Sequence, residues 1–125
     1  MVCVDSSIFI TIYRQPKSPL AARLTQLVND RHAALCGQVW VELLGGFRNE
    51  HTRRAVREGF AEYPWLETTR QAFELAAEWV AEFRGLGAGD AIIAATSRLN
   101  NCPLFTVDRS FESLRAAGLK LLASD

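Results

Sequence analysis

The sequence predicts an α/β domain built on a parallel sheet. Short apolar runs alternate along the chain with longer amphipathic patterns, the order expected of strands joined by crossover helices. The first run, Met1 to Val4, shows no polar alternation, the mark of a strand buried on both faces. With 125 residues, 49% of them hydrophobic, the chain has material for one domain with a sizeable core, spanning 1–125.

Met1 to Val4 reads as the first strand. Asp5-Ser6-Ser7 supplies capping residues for a helix over Ile8 to Arg14. Pro16 and Pro19 break the chain and open a second helix, Leu20 to Asp30, with Leu20, Leu24, Leu27 and Val28 on one face. AALCG, from Ala33 to Gly37, is strand two. A helix beginning near Gln38 carries Trp40, Leu43, Leu44 and Phe47, and a polar, arginine-rich helix follows from Glu50 to Phe60. Trp65 to Thr68 forms a short strand after Pro64. Arg70 to Arg84 is an amphipathic helix whose apolar face is Phe73, Ala76, Ala77, Val80 and Phe83, either core or dimer seam. The glycines of RGLGAG make a loop before a buried helix from Asp90 to Asn100. Pro103 to Val107 is a strand, Ser110 to Ala117 a helix closed by Gly118, and Leu119 to Leu122 a last strand.

Composition narrows the partners. Formal net charge is zero, so no global basic character points to nucleic acid. Any attraction for phosphate must come from a local patch or a bound cation. Lys17 and Lys120 are the only lysines; the other basic residues are arginines, which suit bidentate phosphate contacts. Cys3, Cys36 and Cys102 are scattered and odd in number, and read as free thiols in a reducing cytosol. The apolar N-terminus lacks a basic flank and carries Asp5, unlike a signal peptide, and no stretch approaches a membrane span.

Two strand-like runs at opposite ends of the chain each stop on a carboxylate, Asp5 in MVCVD and Asp108 in LFTVD. Ligands of open parallel sheets bind beyond the carboxyl ends of the strands. Two further acids have unusual settings: Glu42 inside the apolar WVELLGG, and Asp90 where the glycine loop meets an apolar helix. Gly45 and Gly46 stand beside Glu42 on a helix and would leave room around it. Each acid also has a plainer reading: Asp5 and Asp90 as helix caps, Asp108 as an Asx-turn residue, Glu42 as a solvent-facing side chain. If the four converge, mutual repulsion calls for a divalent cation, and all-oxygen donors favour Mg²⁺ or Mn²⁺. Such an ion supports phosphodiester hydrolysis.

The ordered set VDSSIFI, WVELLGG, GAGDAIIAAT and LFTVDRSFE resembles the PIN domain, in particular the VapC toxins of toxin–antitoxin pairs. The resemblance implies a three-layer α/β/α fold with a central parallel sheet and a Mg²⁺- or Mn²⁺-dependent endoribonuclease. It implies Asp5 and Asp90 as core metal ligands, Asp108 as supporting ligand, and Glu42 as the fourth catalytic acid, with Thr106 and Ser6 as supporting hydroxyls. It further implies an RNA substrate, a VapB-type antitoxin, a homodimer and a cytoplasmic setting. Thr-Val-Asp in the last motif follows the wider PIN pattern, whereas many VapC toxins have Thr-Arg-Asn.

Arg53, Arg54 and Arg57 in HTRRAVRE share a helix face, which reads first as solvated surface and second as an RNA-backbone contact. Glu74, Glu78 and Glu82 form a solvent stripe offset at one end by Arg70. His32 and His51 are isolated, and Trp40, Trp65 and Trp79 read as core. The competing functional class is a PIN module that binds RNA or protein without cutting. A receiver-like phosphoacceptor domain needs an acidic pair at the first strand, and Asp5 stands there alone.

Overall fold

A computed structural model of the chain describes residues 1–123. The order is β1 (Val2–Val4), α1 (Ser6–Arg14), α2 (Pro19–Asn29), β2 (Ala33–Cys36), α3 (Gly37–Gly46), α4 (Glu50–Phe60), β3 (Trp65–Leu66), α5 (Arg70–Glu82), α6 (Ala88–Leu99), β4 (Leu104–Phe105) and a 3₁₀ helix (Arg109–Ala117). The strands form one parallel sheet in the order β3-β2-β1-β4. The architecture is a three-layer α/β/α sandwich, with helices covering both faces of the parallel sheet.

Side-chain alternation along the strands sorts the interior into two cores. Val2, Val4, Ala33 and Phe105 face one way and pack with Ile8 of α1 and Leu24 of α2. Cys3, Ala34 and Leu104 face the other way, onto Ala72, Ala76 and Trp79 of α5 and Ile93 and Ala94 of α6. Both faces are therefore apolar, as the unbroken apolar runs require. The ion pairs among the described residues are exposed i,i+3 and i,i+4 contacts, Arg53–Glu50, Arg70–Glu74 and Arg115–Glu112. Pairs of that kind are worth about 0–1 kcal/mol each, so burial holds the fold.

Sheet order fixes where ligands can bind. From β1 the chain moves outward through β2 and β3, then returns to place β4 on the opposite side of β1. The switch point is the crevice between the carboxyl ends of β1 and β4. Asp5 ends one strand there and Asp108 follows the other.

Several boundaries differ from those the sequence predicts. β4 pairs only over Leu104 and Phe105, because Thr106 and Val107 leave the ladder to bond with the start of α1. Leu119 to Leu122 is not a full strand; it touches the sheet by one bridge, Leu121 to Leu104. Arg109–Ala117 winds as 3₁₀ and ends at Gly118 with φ 98°, the left-handed conformation that favours glycine. On α5 the buried face is Ala72, Ala76 and Trp79; Phe73 and Val80, 51% and 40% exposed, are not core. Trp65 is likewise exposed at the sheet edge, with its ring against Trp40. All three cysteines are free and buried. Among the described residues no helix is long and apolar enough to cross a membrane.

Candidate functional site

Asp5 is only 2% exposed, and its backbone N–H donates to Phe105 O at 2.9 Å, so the strand pairing itself positions the carboxylate. It occupies the N-cap position of α1 but makes no side-chain cap bond. Instead its Oδ2 accepts hydrogen bonds from Ser7 Oγ and Thr106 Oγ1, both at 2.7 Å. The capping reading of Asp5 is therefore displaced. Two hydroxyls, one from each side of the crevice, fix the carboxylate in place.

The same hydroxyls lace the crevice shut behind it. Thr106 Oγ1 accepts from the Asp108 N–H at 3.0 Å, and Ser7 Oγ accepts from the Val107 N–H at 3.2 Å. Asp108 lies exposed at the rim. Its Oδ1 accepts from Ser110 N–H at 2.9 Å, so the Asx-turn geometry is realised with one of its two oxygens.

Glu42 comes in from α3. Ser6 Oγ donates to its Oε1 at 2.9 Å and Gln38 Nε2 to its Oε2 at 3.0 Å. The side chain is half-buried and held at both oxygens, not free in solvent. The room around it is made by a different glycine from those the sequence singles out. Gly45 and Gly46 face open space, whereas a Cβ on Gly89 would stand 2.7 Å from Glu42 Oε2 and 2.9 Å from Gln38 Nε2. Gly89 thus lets the first turn of α6 close on α3.

Asp90 follows at once. α6 begins at Ala88 with Gly87 as N-cap, so Asp90 is inside the first turn and does not cap the helix. Among the described residues its carboxylate makes no side-chain hydrogen bond. Its pKa is pushed up from 3.8 to about 6, first by burial, then by the negative charges of Asp5, Asp108 and Glu42. Acids from three other segments are therefore near enough to oppose the charge of Asp90. The ion pairs among the described residues all lie elsewhere.

A divalent cation fits this arrangement in charge and in donor type: carboxylate oxygens around a half-buried acid whose ionisation its neighbours oppose. Among the described residues no three His, Cys, Asp or Glu side chains are drawn tightly enough together to enclose an ion as they stand. The acids border the crevice instead of closing on one point. His32 and His51 are both exposed and lie outside it.

Sequence reasoning missed Ser7 and Gln38. Ser7 could have been found as a hydroxyl two residues past an acid at a strand end. Gln38 sits four residues before Glu42, the spacing at which helical side chains meet. One consequence is testable. Thr106→Val keeps the volume but removes the donor to Asp5 and leaves the Asp108 N–H without its acceptor. Groups that orient metal-binding acids are worth about 10–100-fold in metal affinity. Isothermal titration with Mn²⁺ should show a loss in that range, with little change in the unfolding midpoint.

An α/β/α sandwich with acids gathered at its switch point defines a small class of acidic-site α/β domains. The family model described as PIN domain matches residues 2–117. The chain belongs to the PIN-domain family. Members generally use divalent metal ions, and those of VapC toxins are typically nucleases. The chain is similar in structure to a chain of the DNA-bound VapBC from Salmonella typhimurium (TM-score 0.79, 20% identity, all of both chains covered). It also resembles VapBC2 from Rickettsia felis bound to a promoter DNA fragment (0.78, 17%, 98% of each chain). A third similar structure is VapBC-1 from nontypeable Haemophilus influenzae (0.76, 21%, 99% of this chain and 98% of that one). At these identities the likeness is one of fold. No curated protein matches the sequence.

Proposed function

We propose that this PIN domain is a metal-dependent endoribonuclease, the toxin of a VapBC-type pair, with residues 1–125 working as one unit. The reading is supported by the placement of Asp5, Glu42, Asp90 and Asp108 around the β1–β4 crevice, where Asp5, Asp108 and Glu42 all oppose the charge of Asp90. Asp5 and Asp90 would hold a Mg²⁺ or Mn²⁺ ion, with Asp108 as supporting ligand. The chemistry such an ion supplies is Lewis acidity toward a phosphoryl oxygen and a lowered pKa for water. Glu42, clamped by Ser6 and Gln38, orients the attacking water and accepts its proton at a carboxylate oxygen. Ser7 and Thr106 keep Asp5 aimed into the crevice. Hydrolysis by water leaves a 5′-phosphate.

The partner reading rests on an apolar cleft of about 640 Å³ lined by Phe9, Tyr13, Phe47, Phe60 and Tyr63, which opens on Glu42. It fits the apolar face of an antitoxin segment, whose adjoining disordered tail would reach the acids with an arginine. A cytoplasmic homodimer completes the proposal.

The test is incubation of purified protein with structured RNAs in Mg²⁺, Mn²⁺ or EDTA. Cleavage with either ion, products bearing 5′-phosphates, and full protection in EDTA are expected. RNA that binds but stays intact under every condition would favour the non-cleaving module instead.

A further inference from the structure

Four carboxylates are a poor lure for a polyanion, and a formal net charge of zero supplies no general attraction. On the nuclease reading above, the backbone of the RNA must be held by cations near the acids but not among them. α3 leads to such a place. Gly45, three residues after Glu42, lies next to it on the helix surface, and Val41 stands one turn before Gly45. Both also floor a pocket of about 480 Å³, whose far wall is the α4 face bearing Arg53, Arg54 and Arg57.

We propose that this pocket grips the RNA sugar–phosphate backbone flanking the bond to be cut, with Arg54 and Arg57 as the phosphate contacts. Arg53 is engaged by Glu50 at 3.0 Å. The side chains of Arg54 and Arg57 make no ion pair or hydrogen bond among the described residues, so their forks are available for bidentate phosphate contact. Gly45 leaves the floor open, since nothing lies within 4 Å of where its Cβ would stand. Val41, 64% exposed, offers an apolar rest for a sugar. The two sides of α3 thus differ in kind: an apolar cleft on one flank of Glu42, a cationic pocket on the other. A chain leaving the pocket past Gly45 meets Glu42 on the same helix. Backbone contacts of this sort set register without reading sequence.

The test uses the whole protein and a short fluorescein-labelled single-stranded RNA. Anisotropy titrations in EDTA between 50 and 200 mM salt give affinity and salt slope, and kcat/KM in Mg²⁺ is a second readout. R54Q/R57Q should weaken binding ~10-fold at the lowest salt and flatten the log–log slope by about 1.4, two phosphate contacts at ~0.7 each. Its kcat/KM should fall in step. R54K/R57K should restore the slope but only part of the affinity, because a point charge replaces a fork. Arg70→Gln, an arginine removed on α5 instead, should change neither. Unfolding midpoints should agree throughout, since the altered side chains are exposed. Wild-type protein that binds and cuts RNA alongside an indistinguishable R54Q/R57Q overturns this inference alone, as would equal weakening by Arg70→Gln. Wild-type protein that neither binds nor cuts RNA brings down the nuclease reading and the inference together.

Discussion

Asp90→Asn should make the metal-free protein more stable and catalytically dead. Two effects oppose each other at this position. A carboxylate in the first turn of α6 gains about 0.3–1 kcal/mol from the helix dipole. Burial and three neighbouring carboxylates work against its charge, and they win, because the net result is a pKa raised from 3.8 to about 6. A folded-state pKa above the unfolded one has a definite consequence for stability. The contribution is fully present below about pH 4 and is lost as pH rises through about 6. At pH 7.5 the metal-free fold therefore carries the whole penalty. Asp90 is part-open to solvent, so screening brings the penalty to about 1 kcal/mol, or roughly 4 °C in Tm.

Asn keeps the shape and removes the charge. Thermal unfolding in EDTA should show the variant about 4 °C higher at pH 7.5, and the two proteins converging near pH 4. Saturating Mn²⁺ should reverse the order. At a hundred times its Kd the ion stabilises the wild type by about 2.7 kcal/mol, some 10 °C, and leaves the variant nearly unmoved. Cleavage should fall roughly 10³-fold, equivalent to about 4 kcal/mol of lost transition-state stabilisation. A variant that unfolds lower than wild type in EDTA would show that Asp90 serves the helix and not a charge-crowded site.

The same contrast between local and convergent roles explains what the sequence could and could not reveal. Apolar runs and glycine or proline breaks placed every helix within a few residues, because those signals are local. The four acids were legible because each interrupts an apolar setting. Their supports were not. Whether Asp5 caps α1 or meets Thr106 depends on a residue 101 positions away, reached only once β4 pairs beside β1. Gly89 looked like loop punctuation, and only the packing of α6 on α3 shows that it abuts Glu42. Gly45 and Gly46 carried the right spacing in sequence but face open space. On α5, Phe73 and Val80 have the hydrophobicity of core residues, yet the helix turns Ala72, Ala76 and Trp79 inward. Small residues there match the dense packing of α5 on the alanine-rich α6.

Phe111→Ala should be among the most damaging single substitutions in the chain, although it lies outside the crevice. The ring is fully buried in the core under the α5–α6 face of the sheet, alongside Leu114 and Leu104. A 3₁₀ helix has poorer hydrogen-bond geometry than an α-helix, so Arg109–Ala117 depends on Phe111 and Leu114 to stay docked. Truncating a buried Phe to Ala costs about 3–5 kcal/mol, against about 5–15 kcal/mol for a whole domain. With a urea m-value of about 1–3 kcal/mol/M, the midpoint should drop by roughly 2 M. Ser113→Ala, on the exposed side of the same helix, should shift it by less than about 0.5 kcal/mol. The damage should reach the site as well, because Asp108 is the residue from which this helix starts and bonds its Ser110. At temperatures where Phe111→Ala remains folded, Mn²⁺ should bind it more weakly than wild type, while the same measurement on Ser113→Ala stays unchanged. A Phe111→Ala protein with an unaltered urea midpoint would mean that Asp108 is held by the Thr106 and Ser110 bonds alone.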